Sequence, residues 1–355
     1  MEVVPFGVYV HVPFCARRCD YCAFATWTDR HHLFEAYSRA CRREVVEADL
    51  PPASSVFFGG GTPSLLPAEL LCSILGVIPR RGDAEVTVEC NPESVSPAPL
   101  AAYREAGVTR LSFGAQSTAP HVLAALGRSH KAGDLEAAVA AARTAGFTNF
   151  NVDLIFGAAG ESVADWVRTL DDVLALEPTH LSAYALTVEP GTPLALDRAR
   201  YPDDDDQAEK YTLADQILGS TGYCNYEISN WARLGHECRH NLLYWRQGDY
   251  RGIGCAAHSH EHGRRWWNVR TPERYIAAVE SGRSPVAGAE ELDEETQVLE
   301  RLQLALRTSD GVPASAVPPD PALERLLERD GDHARLTVEG RLLANEVAVR
   351  LLPHG

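Results

Sequence analysis

Short apolar segments alternate with amphipathic segments along the first two thirds of this chain, and this alternation constrains its fold more than any other feature. The apolar, β-branched segments cover residues 8–12, 56–58, 86–88, 111–113, 150–155 and 181–186. The amphipathic, helix-like segments cover residues 34–46, 69–77, 100–106, 135–145, 163–176 and 208–218. Six successive strand–helix units require parallel strands, so we predict an α/β fold.

Unusual residues follow almost every predicted strand. Three cysteines come after the first strand, a glycine run after the second, Glu89 after the third and Gln116 after the fourth. Functional groups at the carboxyl ends of almost all strands favour the mouth of a barrel over the single crevice of an open sheet. Because a complete barrel needs eight units, we predict a partial (βα)6 TIM-like barrel.

Cys15, Cys19 and Cys22 lie in the loop that leaves the first predicted strand. A 4Fe-4S cluster ordinarily uses four cysteines, so three local thiolates would leave one iron open for another ligand. A structural zinc site usually has a second cysteine pair, which is missing near this loop, but zinc stays an alternative. Buried, inert thiols are the third interpretation.

Polar residues at the other strand ends are weaker signals. The Gly60-Gly61-Thr62 turn follows a strand, so its backbone could approach a ligand closely, although many such glycines only form tight turns. Asp153 lies within an otherwise apolar strand, and a carboxylate there needs either a ligand or an internal salt bridge.

The chain divides into three predicted regions. Residues 1–222 hold the strand–helix units, residues 223–289 form an irregular extension rich in histidine and tryptophan, and residues 290–355 return to helical patterns around a short strand. The last region resembles a small, mainly helical, winged-helix-like domain. DNA binding does not follow from this likeness, because we find no basic recognition face there.

Composition limits the partners and the compartment. The net charge of -16 disfavours nucleic acid as a partner, because phosphate binding needs a basic surface. Nine cysteines without an apolar N-terminal signal segment favour a reducing compartment, so we expect a cytoplasmic protein. No apolar run approaches the roughly 18 residues of a membrane span, and any membrane contact is expected to be peripheral.

Several motifs together resemble the radical S-adenosylmethionine enzymes, in the branch that contains oxygen-independent coproporphyrinogen III oxidase. The motifs are CxxxCxxC at residues 15–22, GGGTP at 59–63, ECNPE at 89–93, LSFGAQS at 111–117 and NVDLIFG at 151–157. The resemblance implies that the cysteines bind a 4Fe-4S cluster, that its open iron binds S-adenosylmethionine, and that an electron donor reduces the cluster. It also implies a set of contacts to S-adenosylmethionine, namely Tyr9, Gly60, Gly61, Thr62, Glu89, Gln116, Arg128 and Asp153, with Tyr21 contacting a second molecule.

Two departures set this chain apart from the oxidase. The oxidase has a further cysteine where this chain has Phe24, and it has a catalytic N-terminal segment, whereas the first predicted strand here begins close to Met1. We therefore do not expect decarboxylation of coproporphyrinogen as the main activity, and we assign no catalytic residue. A radical enzyme of porphyrin biosynthesis stays the alternative function, and a zinc-bound interaction protein is a third.

The second half resembles the HemW-type haem chaperones through the HNxxYW motif at residues 240–245. This resemblance implies a protein that binds haem as cargo and transfers it to apoproteins, with the respiratory chain as a candidate destination. Haem iron binds His, Cys, Met or Tyr, and the only methionine is Met1. His240 is our candidate haem ligand, Cys238 and Cys255 are weaker ones, and a structural role for His240 remains open.

Overall fold

The computed structural model describes residues 4–131 and 133–352. Six strands lie side by side at the centre of one twelve-stranded sheet, in chain order and each parallel to the next. They are β1 (Phe6–Val12), β2 (Ala53–Gly60), β3 (Arg80–Cys90), β4 (Arg110–Gln116), β5 (Phe150–Phe156) and β6 (His180–Ala185). The predicted α/β fold with a central parallel sheet is confirmed.

Seven helices accompany these strands. They are α1 (Phe34–Glu47), α2 (Ala68–Leu75), α3 (Pro97–Ala106), α4 (Pro120–Ala125), α5 (Asp134–Thr144), α6 (Val163–Leu174) and α7 (Asp204–Ser220). The six-residue α4 has no counterpart in the sequence prediction, because so short a segment carries too little periodicity to be recognised. Another difference is small: most of the strands are a few residues longer than their apolar centres.

The two faces of the strands differ in polarity. On β1, Val8, Val10 and Val12 are completely buried in the main core, which they share with residues of the flanking helices. Tyr9 and His11 alternate with them and therefore point to the opposite face, as the two-residue period of a strand requires. The same alternation on the neighbouring strands gives this face a polar lining.

Residues 223–289 are not irregular, contrary to the sequence prediction. The segment forms β7 (Cys224–Glu227), β8 (Asn230–Ala232), α8 (Arg239–Trp245), β9 (Asp249–Ile253), β10 (His258–Glu261), β11 (Arg264–Asn268), α9 (Pro272–Glu280) and β12 (Val286–Glu291). These strands extend both sides of the sheet: β8 pairs with β6, and β9 pairs with β1. The pattern is hidden in the sequence because short strands at a sheet edge bury few apolar residues.

The C-terminal segment has its own small core. It contains α10 (Glu294–Ala305), β13 (Val312–Pro313), β14 (Leu327–Asp330), β15 (His333–Leu336), α11 (Val338–Leu342) and α12 (Ala344–Ala348), with the three strands in the order β13, β15, β14. Residues 321–326 form a 3-10 helix that begins with Pro321. None of the helices in the described ranges combines the length and apolarity required to cross a bilayer.

A buried ion pair fastens α7 to the loop after β5. The Lys210 ammonium lies 3.1 Å from a Glu161 carboxylate oxygen, and both side chains are completely buried. Lys210 also donates to the Glu161 carbonyl at 2.8 Å and to Asp206 at 2.7 Å. Burial raises the pKa of Glu161, and the positive charge of Lys210 opposes this rise. Removal of the ammonium would therefore leave a buried carboxylate without its counter-charge.

We predict that Lys210→Met lowers the free energy of unfolding by about 3–5 kcal/mol, because Glu161 loses its partner. Urea unfolding followed by circular dichroism measures this change. The control is Arg39→Met, which removes a cation paired with Glu35 at the surface and should cost less than about 1 kcal/mol. If Lys210→Met were no more destabilising than Arg39→Met, or if adding Glu161→Gln recovered nothing, the buried pair would not stabilise this part of the fold.

Candidate functional site

A cavity of about 630 Å³ opens at the carboxyl ends of the central strands. Residues from the loop after β1 and from the ends of β2 to β6 line it, as the sequence pattern predicted for a barrel mouth. Eleven of the thirteen predicted site residues belong to the lining, and Tyr9 and His240 lie outside it. Those in the lining are Cys15, Cys19, Cys22, Tyr21, Gly60, Gly61, Thr62, Glu89, Gln116, Arg128 and Asp153.

The three cysteines lie on one loop at the edge of this cavity, and all three thiols are free. The loop is closed by hydrogen bonds from Cys15 N to Trp27 O at 3.1 Å and from Trp27 N to Pro13 O at 2.8 Å. Within residues 4–131 and 133–352, no three His, Cys, Asp or Glu side chains are placed to hold a single metal ion. A 4Fe-4S cluster binds each thiolate at a different iron, so its ligands need not converge on one point.

The glycine turn after β2 lies directly against the cysteine loop. Gly61 N donates to Val12 O and Thr62 N donates to Phe14 O, both at 2.8 Å. A Cβ atom at Gly61 would lie 2.6 Å from Phe14 O and 2.8 Å from Val12 O, both backbone atoms. The close approach of the two backbones therefore requires glycine at this position.

Two carboxylates face the cavity from β3 and β5. Glu89 accepts a hydrogen bond from Gly60 N at 3.2 Å. Burial, and next the charge of Asp153, raises the pKa of Glu89 to about 8. Asp153 accepts from Ser112 Oγ at 2.9 Å and from Asn151 Nδ2 at 2.8 Å. Asp153 thus accepts hydrogen bonds from a hydroxyl and an amide. Among the described residues, no cation forms the internal salt bridge that the sequence allowed as an alternative.

Gln116 and Arg128 have unused hydrogen-bonding groups at the cavity. Gln116 is buried with a positive φ of 60°, which is unusual for a residue with a side chain, and its Oε1 atom has no partner among the described residues. Arg128 donates to Gly114 O at 2.7 Å and contacts Cys19 Sγ at 3.5 Å, while no described residue bonds to its buried Nε. Such groups normally bind something, so the arrangement fits a polar ligand beside the cysteines.

The two tyrosines among the predicted ligand contacts occupy different places. Tyr21 lines the large cavity, where burial raises the pKa of its phenol. Tyr9 lies deeper, with its hydroxyl 3.0 Å from His11 Nδ1, and lines a second cavity. The structure therefore brings Tyr21 to the cysteines but separates Tyr9 from the large cavity.

His240 lies away from the cysteine loop, on α8, and is buried. Its Nδ1 is 2.9 Å from Ser55 Oγ and its Nε2 is 2.8 Å from Tyr244 OH. The ring stacks on Phe57 at a centroid distance of 5.4 Å, and burial lowers its pKa to about 3, so it is neutral near pH 7. A neutral imidazole suits iron, but both ring nitrogens already have partners, and ligation would require the loss of one of these hydrogen bonds.

Several lining residues escaped the sequence analysis. Asn91 accepts from Arg128 at 3.0 Å, and Ser112 binds Asp153. Ser112 could have been found from the period-two alternation along β4, which places it on the polar face. Tyr184 also lines the cavity, as does Phe24, which the sequence had marked only as the replacement of a cysteine and which is 65% exposed.

Comparisons with known proteins identify several relatives of this chain. A family model described as the Radical SAM superfamily matches residues 9–173. A protein named "Heme chaperone HemW" from Mycobacterium tuberculosis (strain H37Rv) is 43% identical, over 98% of this chain and 95% of its own length. HemW proteins from Bacillus subtilis and Escherichia coli are 32% and 36% identical over 96% and 73% of this chain, and over 97% and 71% of their own lengths.

Among solved structures, the coproporphyrinogen III oxidase HemN from Escherichia coli has a similar fold. The TM-score is 0.85, with 22% sequence identity, and the match covers 98% of this chain and 89% of HemN. At this identity the likeness establishes the fold, which spans both the central sheet and the C-terminal segment.

We predict that Gly61→Ala displaces the cysteine loop, because the new methyl group would collide with two backbone carbonyls, and that it lowers the free energy of unfolding by about 1–3 kcal/mol. Chemical denaturation measures the effect. Gly82→Ala is the matched control, since a Cβ there meets no atom within 4 Å. Equal stability of the two variants would show that the close backbone approach is not required.

Proposed function

The chain belongs to the radical SAM superfamily and, within it, to the family of the HemW proteins, and on this basis we propose that it is a haem chaperone that carries a 4Fe-4S cluster and S-adenosylmethionine. The observation that supports the proposal most is the cavity that gathers three free cysteines, a glycine turn and unpartnered polar groups.

The cysteines at the cavity edge fit the cluster. Cys15, Cys19 and Cys22 would each bind one iron, and the remaining iron would be open to S-adenosylmethionine. When bound, the cluster and S-adenosylmethionine would supply one-electron chemistry, and a separate electron donor would be needed to reduce the cluster. Arg128 contacts Cys19 Sγ and places a positive charge beside the anionic thiolates.

The other lining residues would hold S-adenosylmethionine. The Arg128 guanidinium offers charge-assisted donors to a carboxylate, and Glu89 and Asp153 offer acceptors to amino or hydroxyl groups. Gly60 and Gly61 allow close approach of the backbone, and Thr62 and Gln116 add polar contacts. Tyr21 lines the same cavity, and we propose that it contacts a second molecule of S-adenosylmethionine. Tyr9 would contact S-adenosylmethionine from the second, smaller cavity.

The haem-related part of the proposal comes from the relatives. Proteins named "Heme chaperone HemW" match this chain over nearly its full length. We infer that this chain binds haem and transfers it to apoproteins, with respiratory-chain proteins as the proposed acceptors. It would act in the cytoplasm, and any membrane contact would be peripheral. Phe24, in place of the oxidase's additional cysteine, supports haem handling over porphyrinogen oxidation.

The finer architecture is also part of the proposal. Six parallel strands in chain order support a partial (βα)6 barrel. The separate C-terminal core, with helices and a three-stranded sheet, supports a winged-helix-like domain from residue 290. We retain the boundaries after residues 222 and 289, although the strands of residues 223–289 continue the central sheet.

We predict that anaerobic reconstitution with iron and sulfide gives a brown protein with absorbance near 400 nm. Replacing Cys15, Cys19 and Cys22 together by alanine should abolish this absorbance and the bound iron, because no thiolate would remain on the loop. Cys224→Ala, at an exposed position on β7, is the control and should keep both. Stable tetrahedral zinc without brown colour would contradict the cluster.

We predict that the reconstituted protein gives a stoichiometric Soret band with added haem and that His240→Ala weakens binding about tenfold or more. Tyr244→Phe separates ligation from stability, because it frees His240 Nε2 while keeping the aromatic ring. If His240 binds iron, this variant should bind haem at least as tightly as the wild type.

His333→Ala, at an exposed site in the C-terminal sheet, is the control. Unfolding measurements on each variant separate lost ligation from a lost fold. Undiminished haem binding by a folded His240→Ala protein would place the ligand elsewhere. Absence of haem binding, together with anaerobic consumption of coproporphyrinogen, would replace the chaperone by a porphyrinogen oxidase.

A further inference from the structure

A second cavity, of about 140 Å³, lies within the sheet interior below the cysteine site. Its lining residues include Tyr9, Arg110, Asn151, His180, Tyr226 and His240. It shares Glu89, Ser112, Asp153 and Tyr184 with the large cavity, so the two spaces adjoin each other. The proposals above use this lower cavity only through Tyr9, through Glu89 and Asp153, which also line the large cavity, and through His240 as candidate haem ligand.

Arg110 is the exceptional residue in this lower cavity. It is the first residue of β4, and only 2% of its surface is exposed. Within the described residues its guanidinium forms no hydrogen bond and no ion pair, and its buried Nε lacks any partner. A guanidinium has five N–H donors, and leaving them unused in the interior is costly.

The carboxylates near Arg110 are engaged elsewhere. Glu85 accepts from His240 N at 3.1 Å and from Arg239 N at 3.2 Å, at the start of α8. Asp153 accepts from Ser112 and Asn151. These charges attract the guanidinium through space, but they leave its donors free to bind a group inside the cavity.

The HNxxYW motif closes one side of this cavity. His240, Asn241 and Tyr244 line it, and the ring of His240 is held there by Ser55 and Tyr244. Across the cavity, His180 is fixed by Asn151 Oδ1 at 2.7 Å and by Tyr226 OH at 2.8 Å. The walls around Arg110 are therefore held by hydrogen bonds before anything binds.

We propose that this lower cavity binds one carboxylate group, anchored by the guanidinium of Arg110. A carboxylate matches the fork of the guanidinium with two parallel hydrogen bonds and neutralises its charge. The volume equals that of about four or five water molecules, enough for a small carboxylate but too small for a macrocycle.

The carboxylate could come from either of two sources. One is a free small acid such as acetate. The other is the carboxylate arm of a larger ligand in the upper cavity, since the two cavities share lining residues. Haem carries two propionate arms, so this second source rests on the proposed haem function.

The first experiment measures the melting temperature of the reconstituted, full-length protein in sodium acetate, against sodium chloride at equal ionic strength. Acetate should raise the melting temperature of the wild type by about 2 °C or more at saturation, because it binds only the folded state. Arg110→Met should abolish this rise. Arg39→Met, which removes an exposed arginine, should retain it.

A second variant covers the case in which Arg110→Met does not fold. Arg110→Lys keeps the charge but loses the planar fork, and it should reduce the effect of acetate by at least half. If Arg110 serves only to offset Glu85, acetate will have no specific effect on the wild type, and Glu85→Gln will restore the stability lost in Arg110→Met. That pair of results would overturn the proposal.

The second experiment compares haem with haem dimethyl ester, in which both carboxylates are blocked. If an arm of haem reaches Arg110, the ester should bind the wild type about tenfold more weakly, and this difference should vanish in Arg110→Met. A response to acetate without any effect of esterification would identify a free acid as the source. If neither acetate nor esterification has an effect, no carboxylate binds. If haem does not bind at all, the haem function fails, but the acetate result still decides the proposed site.

Discussion

The parallel pairing of β1 with β2, continued by two further hydrogen bonds beyond the strand ends, is the constraint on which the site depends. The amides of Gly61 and Thr62 bind the carbonyls of Val12 and Phe14, so the glycine turn and the cysteine loop form one unit. Any side chain at Gly61 would meet backbone atoms and separate them. The start of the cysteine loop is therefore positioned against the cavity by this close backbone approach.

The polar interior of the sheet follows from the same period-two geometry. The strands bury apolar residues against the helices, and most of the residues that they turn to the opposite face are polar and line an upper and a lower cavity. Burial then changes the chemistry of these groups: the pKa of Glu89 rises to about 8, and that of His240 falls to about 3. Both side chains are expected to be mostly uncharged near pH 7 in the absence of a ligand.

The sequence predicted the central sheet well because long, buried parallel strands are nearly continuous apolar runs. It also placed eleven of its predicted site residues at the upper cavity, since side chains at the carboxyl ends of parallel strands meet at one edge. It failed for residues 223–289, whose short edge strands have no clear apolar pattern. Arg110 was missed because a single polar residue in a strand does not reveal whether a cavity or a partner faces it, and Ser112 was missed although the alternation along β4 places it on the polar face.

The sequence by itself determined the order of the strand–helix units and the cysteine loop, and its motifs indicated the family, because these depend on local spacing and on periodicity. Only the tertiary structure decided the surroundings of each side chain. Histidine is a residue type that binds haem iron, and His240 was therefore a candidate ligand. In the structure, however, its Nδ1 is hydrogen-bonded to Ser55, which is distant in the sequence, and its Nε2 to the nearby Tyr244. In the sequence Arg110 resembles an ordinary strand residue, yet packing leaves its buried Nε without a hydrogen-bond partner among the described residues, beside a cavity. Hydrogen-bond partners and burial come from residues far apart in sequence, so no local pattern encodes them.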